Sequence, residues 1–143
     1  MQLSTILANK GDFVATIAPD AQVRDVIGAL AEHRVGALVV SSDGSTVDGI
    51  VSERDVVMGM ANGCALDESV ASIMTTEVFC AGPDAHIDEL MQVMTQRRFR
   101  HIPITDPDGI LIGIVSIGDV VKTRLDELEA EKAALVDYVT RGG

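Results

Sequence analysis

The sequence predicts an α/β fold made of two copies of one small unit, followed by a C-terminal helix. A nine-residue stretch, Gly49–Val57, recurs as Gly113–Val121 with seven of the nine positions identical. Aligning Val14–Val57 with Val78–Val121 needs no gap and gives 12 identities in 44 positions. Hydrophobic residues make up 47% of the chain, which is enough for a buried core. The chain is therefore a duplicated unit, a pattern that decides the fold when it is present.

The repeated stretch predicts a strand that leads directly into a helix. Each copy opens with Gly-Ile-Val, and a short run of β-branched residues is typical of a buried strand. The Ser-x-x-Asp that follows, at Ser52–Asp55 and Ser116–Asp119, is a helix-start signature in which the serine caps free N–H groups. A helix N-terminus has unpaired donors and a partial positive charge, and both suit phosphate. One such cap alone is more often structural than functional.

The elements before this stretch are also paired. Each unit is predicted to open with a short connector helix, Ser4–Leu7 in the first and Ser69–Met74 in the second. Short strands follow at about Val14–Ile17 and Val78–Ala81. A Pro-Asp-Ala sequence ends each strand, because proline cannot continue a central strand and aspartate favours a helix start.

An amphipathic helix and a second strand complete the unit. The predicted buried helix faces consist of Val23, Val26, Ile27 and Leu30 in the first unit and Ile87, Leu90, Met91 and Met94 in the second. The second strand is predicted at Ala37–Ser41 or His101–Thr105, and a polar turn leads from it to the repeated stretch. The order per unit is βαββα. We predict two units related by a pseudo-twofold axis and packed sheet to sheet, with divisions at 1–64, 65–122 and 123–143.

The C-terminal segment, from Val120 to Arg141, is helical by propensity. Apolar residues recur along it at alternating spacings of four and three, with one lysine among them: Val121, Leu125, Leu128, Lys132, Leu135 and Val139. Two interpretations are open at this point. The helix lies back on its own domain, or it helps to join two chains.

Composition excludes several classes of function. The formal net charge is −11, whereas nucleic-acid binders normally carry a basic face. Two cysteines are too few for a disulfide framework, and we interpret both as reduced, buried thiols. No leader peptide or membrane span is predicted, so we expect a cytoplasmic protein that binds neither nucleic acid nor membrane. No metal-ligand spacing, Walker loop or nucleophile elbow occurs in the sequence, and we expect no enzymatic activity.

The duplicated pattern resembles the CBS domain, a βαββα module named after cystathionine β-synthase and usually found in tandem pairs. The resemblance covers roughly residues 1–122 and depends on Thr16–Ala21, Glu32–Val40 and both Gly-Ile-Val-Ser-x-x-Asp copies. It implies a regulatory module that binds an adenosine compound: AMP, ADP, ATP, S-adenosylmethionine or NAD. It also implies a homodimer with the C-terminal helix bracing the two chains. We expect no cofactor apart from the regulatory ligand.

The resemblance also implies site residues. In the family the signature Asp binds ribose hydroxyls, and the Ser and the residue before the Asp help to hold phosphate. One cleft would then use Ser52, Arg54 and Asp55, and the other Ser116, Gly118 and Asp119. The adenine slot would come from the second-strand entry of the other repeat, namely Val35, Gly36 and Ala37 or Phe99, Arg100 and His101, and from the loops at Lys10, Gly11, Glu77 and Val78.

Two pairs of aligned positions carry basic residues with different expected roles. Arg34 aligns with Arg98, so we assign that pair a structural role in helix capping or a surface ion pair. Arg100 and His101 replace Gly36 and Ala37, and basic residues at these positions reach phosphate in the family.

Three functions follow in order of preference. The first is a stand-alone sensor that binds an adenine nucleotide and signals to an unknown effector protein. The second is a scaffold or dimerisation module whose clefts are vestigial. The third is a variant that binds S-adenosylmethionine or NAD. The two clefts are expected to be inequivalent, because Glu53-Arg54 in one corresponds to Ile117-Gly118 in the other.

Overall fold

A computed structural model describes residues 3–10 and 14–142. The first unit forms a three-stranded sheet in the order β1-β2-β3, with β1 parallel to β2 and β2 antiparallel to β3. The elements of the N-terminal half are α1 (Leu3–Lys10), β1 (Thr16–Ile17), α2 (Val23–His33), β2 (Ala37–Val40), β3 (Gly49–Ser52) and α3 (Glu53–Ala61). The predicted βαββα order is confirmed for this unit, and the helix predicted to precede it is present as α1.

The second unit repeats this order with one strand reduced. Its elements are a 3-10 turn (Val70–Ser72), α4 (Ile87–Arg97), β4 (His101–Thr105), β5 (Leu111–Ser116) and α5 (Ile117–Gly142). β4 and β5 pair antiparallel in a two-stranded sheet. The molecule is thus the predicted α/β fold with two small sheets and a C-terminal helix.

The first strand predicted for the second unit, 78–81, is wrong in its extent. Within the described residues it is reduced to one parallel bridge, between Ala81 and Ile104. In the first unit the equivalent strand is held by a hydrogen bond from Val39 N to Ala15 O at 3.2 Å. The residue equivalent to Val39 is Pro103, which has no N–H to donate. The carbonyl of Phe79 therefore lacks the inter-strand hydrogen bond that the carbonyl of Ala15 accepts in the first unit.

The connector helices are exchanged between the units. At the start of α1, Leu3 N donates to Ala85 O at 3.0 Å and Ser4 N donates to Pro83 O at 3.1 Å. Leu3 and Ile6 are buried in the second unit's core. The N-terminal helix therefore completes the second unit although it precedes the first in sequence.

The segment between the units completes the first one in the same way. Val70 N donates to Ala21 O at 2.8 Å, and Ala71 N donates to Pro19 O at 3.2 Å. Pro19 and Ala21 are the equivalents of the Pro83 and Ala85 that hold α1. The pseudo-symmetry thus extends to the connectors.

Buried apolar residues form two clusters, one in each unit. The first is built on α2, β2, β3 and α3 with Val70, and the second on α4, β4 and β5 with α1. Seven of the eight predicted buried-face residues lie in or against these clusters. Ile27 does not: it is 39% exposed, and the partly buried Ala29 packs against the cluster instead.

Arg34 and Arg98 end helices α2 and α4, as predicted for a capping pair. Both adopt the left-handed conformation, with φ of 54° and 58°, and both are C-cap residues. The Arg34 N–H donates to Leu30 O, which satisfies one of the last carbonyl groups of α2.

The C-terminal helix projects its apolar stripe into solvent in the single chain. Leu125 is 56% exposed and Leu135 is 65% exposed. The interpretation in which this helix lies back on its own domain is therefore wrong.

A search of the described residues finds no helix long and apolar enough to cross a membrane. Cys64 and Cys80 are free thiols, but both are half-buried and not buried as predicted.

Candidate functional site

Both copies of the Ser-x-x-Asp signature form capping boxes. Ser52 N and Oγ donate to Asp55 Oδ2 at 2.9 and 3.0 Å, and Asp55 N donates back to Ser52 Oγ at 3.2 Å. Ser116 and Asp119 repeat these contacts at 2.9, 2.9 and 3.1 Å. The contacts fix the two carboxylates at the N-termini of α3 and α5. Within the described residues, no hydrogen bond is made to Oδ1 of either aspartate.

A cavity of about 750 Å³ lies where the first signature meets the second unit. We call it cleft one. It has the volume typical of small-ligand sites. Its walls come from β3 and α3 on one side and from the segments before α4 and β4 on the other. The lining residues are Gly36, Ile50, Ser52, Glu53, Arg54, Asp55, Val57, Met58, Thr75, Glu77, Val78, Phe79, Arg98, Phe99, Arg100 and His101.

Cleft one contains three arginines although the chain is acidic. Arg54, Arg98 and Arg100 line it, and Ser52 at the N-terminus of α3 lines it as well. Guanidinium groups are suited to bidentate binding of phosphate, and a helix N-terminus adds N–H donors. Glu53, Asp55 and Glu77 also line the cleft and equal the arginines in number, so the cleft as a whole has no excess of positive charge.

His101 lies between the two halves of the site. A Cβ atom built on Gly36 would be 3.2 Å from both Cε1 and Nε2 of His101, so glycine leaves room for the imidazole. Burial lowers the pKa of His101 from its ordinary value, and the charge of Lys10 lowers it further. Asp119 and Glu53 act in the opposite direction without reversing the shift. The lowered pKa favours the neutral form of the ring.

The corresponding region around Ser116, Gly118 and Asp119, which we call cleft two, contains an ion pair. Lys10 Nζ lies 2.7 Å from Asp119 Oδ2 and donates to Ile114 O at 2.9 Å. Burial disfavours ionised Asp119, but hydrogen bonds from Lys10 and Ser116 outweigh burial and hold the pKa of this carboxyl below its ordinary value. Asp55 has no such basic partner among the described residues.

The structure brings most of the predicted cleft-one residues together. Ser52, Arg54 and Asp55 face the second-unit residues of the same prediction, which are Val78, Phe99, Arg100 and His101. Their roles as ligand contacts remain predictions. Arg97 stacks on Phe99, with its guanidinium carbon 5.1 Å from the ring centroid, so one face of the ring is already covered.

Other predicted residues lie elsewhere. Val35 and Ala37 flank Gly36 without lining cleft one: Val35 is exposed, and Ala37 is buried in β2, where it pairs with Ser52. Gly118 is exposed in the first turn of α5. Gly11, predicted to belong to the adenine slot, lies outside the described residues.

Sequence reasoning missed several lining residues. The repeat predicts only a structural role for Arg98, in helix capping or a surface ion pair, yet Arg98 caps α4 and lines cleft one as well. Thr75 enters the cleft because its backbone pairs with Ile50, with N–O distances of 2.8 and 2.9 Å. Thr75 lies outside the aligned repeats, so nothing in the sequence indicated that it lines the cleft. Val57 and Met58 could have been found from their place on the first turns of α3.

Comparison with known proteins places the chain in a family. The model of the CBS domain matches it twice, at residues 11–62 and 70–126. A mitochondrial CBS domain-containing protein of Arabidopsis thaliana is 36% identical over 132 residues, which are 86% of this chain and 62% of the relative. The chain thus spans less than two thirds of that relative's length.

Solved structures share the fold. The crystal structure of a CBS-domain containing protein from Agrobacterium tumefaciens superposes with a TM-score of 0.81 at 40% identity, covering 87% of this chain and 99% of the other. A CBS domain protein from Pyrobaculum aerophilum, solved in complex with AMP, gives a TM-score of 0.76 at 24% identity and covers 83% and 89% of the two chains. At that identity the second likeness shows the fold alone.

Proposed function

The chain belongs to the CBS domain family, and on that premise we propose that it is a regulatory module that binds an adenine nucleotide in cleft one. One observation carries the proposal: a cavity of about 750 Å³ in which a capped helix N-terminus, an aspartate and three arginines meet. A nucleotide combines a phosphate, a diol and an apolar base. Cleft one has groups for all three.

Each part of the nucleotide has a chemical counterpart in the cleft. The Oδ1 atom of Asp55, which has no partner among the described residues, is suited to accept hydrogen bonds from ribose hydroxyls. Arg54 and Arg100 are suited to phosphate, next to the N–H groups of α3. Val78 and Phe99 provide apolar surface for the base. A protein of the same fold has been solved in complex with AMP, so this fold is able to hold such a ligand.

Regulation follows from where the cleft lies. Its walls belong to both units, so a ligand that fills it favours one relative arrangement of the units over others. We propose that the preferred arrangement is read by an effector protein and that the chain itself catalyses no reaction.

We also propose that the molecule is a homodimer joined through α3 and α5. These helices are equivalent in the two units, and both expose apolar residues: Val57 is 65% exposed and Val121, at the equivalent position, is 47% exposed. The stripe continues along α5 through Leu125 and Leu135. A second copy is the occupant that these faces favour, because a pseudo-twofold surface can match itself.

Thermal unfolding tests the ligand assignment. Wild type, Asp55→Ala and Asp119→Ala are each melted with and without AMP, ADP or ATP. A ligand at about 100 times its dissociation constant adds roughly 2.7 kcal/mol, which raises Tm by roughly 5–10 °C for a domain of this size. We expect this rise in wild type and in Asp119→Ala, and its loss in Asp55→Ala.

The comparison must use the rise in Tm that the ligand causes, because losing the cap of α3 lowers the Tm of Asp55→Ala even without ligand. S-adenosylmethionine and NAD complete the panel. S-adenosylmethionine has no phosphate, so a rise with it alone would favour that ligand over a nucleotide. No rise with any of the five compounds would contradict the proposal and leave the dimerisation module as the function.

A further inference from the structure

We propose that Lys10 is an internal occupant of cleft two, which keeps the protein to one nucleotide per chain. This inference rests on the proposed function and extends it to the second cleft. The two clefts are equivalent by the duplication, but cleft two contains an ion pair that cleft one lacks among the described residues.

The pseudo-symmetry shows where the Lys10 ammonium lies. Ile50 and Asp55 both line cleft one. Their equivalents, 64 residues later, are Ile114 and Asp119. Lys10 Nζ bridges these two residues, at 2.9 Å from Ile114 O and 2.7 Å from Asp119 Oδ2. The ammonium therefore contacts the equivalents of two residues that line cleft one.

The same carbonyl is satisfied differently in the two clefts. Ile50 O accepts a hydrogen bond from Thr75 N at 2.8 Å, which is a backbone contact and leaves the cavity open. Ile114 O accepts from a side chain instead, and that side chain also neutralises Asp119. Lys10 and Ser116 contact only Oδ2 of Asp119, so a diol entering cleft two can reach Oδ1, but the ammonium already balances the charge of that carboxylate.

One further feature favours an unoccupied cleft two. Gly118 stands where cleft one has Arg54, so cleft two lacks that cation. The Lys10–Asp119 ion pair and the missing arginine together favour binding in cleft one.

Isothermal titration with AMP and with ATP tests the inference on the full chain. For wild type we expect one ligand per chain, and none after Asp55→Ala. Lys10→Met removes the charge and keeps the side chain's length. We expect it to bind a second ligand, with affinity at cleft two raised about tenfold or more, and Asp119→Ala in that background should remove the second ligand.

Two variants control the experiment. Lys10→Arg keeps the ion pair and should stay at one ligand per chain. Lys122→Met removes an exposed lysine of α5 that lies outside the apolar stripe and should also stay at one. Melting of each variant without ligand confirms that it is folded.

Each outcome decides the matter. Two ligands in wild type, or one ligand in Lys10→Met, would overturn the inference. A second site that binds ligand more weakly in Lys10→Met than in wild type would show that Lys10 contacts the ligand. That result would also overturn the inference. If wild type binds nothing but Lys10→Met binds one ligand that depends on Asp119, the inference stands and the assignment of cleft one fails.

Discussion

At the scale of single residues, the aspartate of each signature has two oxygen atoms with different surroundings. Asp55 Oδ2 closes the capping box of α3 through Ser52, while Oδ1 has no hydrogen-bond partner in the described part of the chain. The cap fixes the position of the carboxylate before any ligand arrives, so the side chain loses little freedom on binding. One residue can therefore stabilise the helix and present an acceptor.

His101 predicts a pH dependence of binding. A phosphate bound near this ring favours the imidazolium, so binding takes up a proton and the affinity for AMP rises as the pH falls. We expect a steeper rise between pH 8 and pH 6 in wild type than in His101→Gln. The phosphate's own titration near pH 6 affects both proteins alike. Titrations at several pH values measure both slopes, and equal slopes would refute the role of His101.

The residues of cleft one could be predicted from the sequence where they belong to the repeat. Ser52, Asp55 and Arg100 were found because aligned copies show which positions are shared and which differ. Lys10 was placed near a cleft, but its ion pair with Asp119 joins residues that lie 109 positions apart. A local pattern carries no information on that pairing.

At the scale of elements, each copy of the repeated stretch begins with a glycine that lies close to a connector segment. A Cβ atom on Gly49 would lie 2.8 Å from Thr75 O and 3.1 Å from Met74 Sδ. A Cβ atom on the equivalent Gly113 would meet the Leu7 side chain of α1. Packing against the connector backbone therefore requires glycine at position 49, whereas at position 113 the neighbour is the end of a flexible leucine side chain.

Gly49→Ala should destabilise the fold by about 1–3 kcal/mol, because the added methyl group meets a backbone oxygen that cannot move away freely. Gly28→Ala is the matched control. It lies on α2 with nothing within 4 Å of its Cβ position and should stabilise the protein by about 0.5–1 kcal/mol through helix propensity. Urea denaturation of both variants measures the difference, and a Gly49→Ala protein as stable as wild type would show that the connector adjusts.

Helices and strands could be predicted where their pattern is local. The periodicity of α2 and α4 and the apolar runs of β2 and β3 gave their positions within a few residues. The first strand of the second unit could not, because its loss depends on Pro103 in a different strand. Connector exchange also stayed hidden, because it depends on contacts between distant parts of the chain.

At the scale of the whole molecule, the single chain leaves the apolar stripe of α5 exposed to solvent. The sequence left two interpretations of this stripe open, and the orientation of α5 excludes the folded-back one. Substituting Leu125 and Leu135 by lysine should dissociate the proposed dimer, because it places charges at the centre of a surface that must be dehydrated.

The matched control substitutes Ala130 and Ala133, exposed residues outside the stripe, by lysine, so that the change in net charge is the same. We expect the control to sediment as a dimer and the Leu125→Lys/Leu135→Lys variant as a monomer. Identical sedimentation of both variants would show that the stripe does not hold the chains together.

The exchange of connectors sets the order in which the chain can be completed during synthesis. A ribosome releases α1 first, yet its binding surface near Ala85 and β5 is made last. Until then Leu3 and Ile6 have no core to enter, and the first unit itself waits for Val70. A nascent chain that stops after α3 is therefore incomplete in both units: the first unit is completed once Val70 is made, whereas α1 is buried only after β5 has been made.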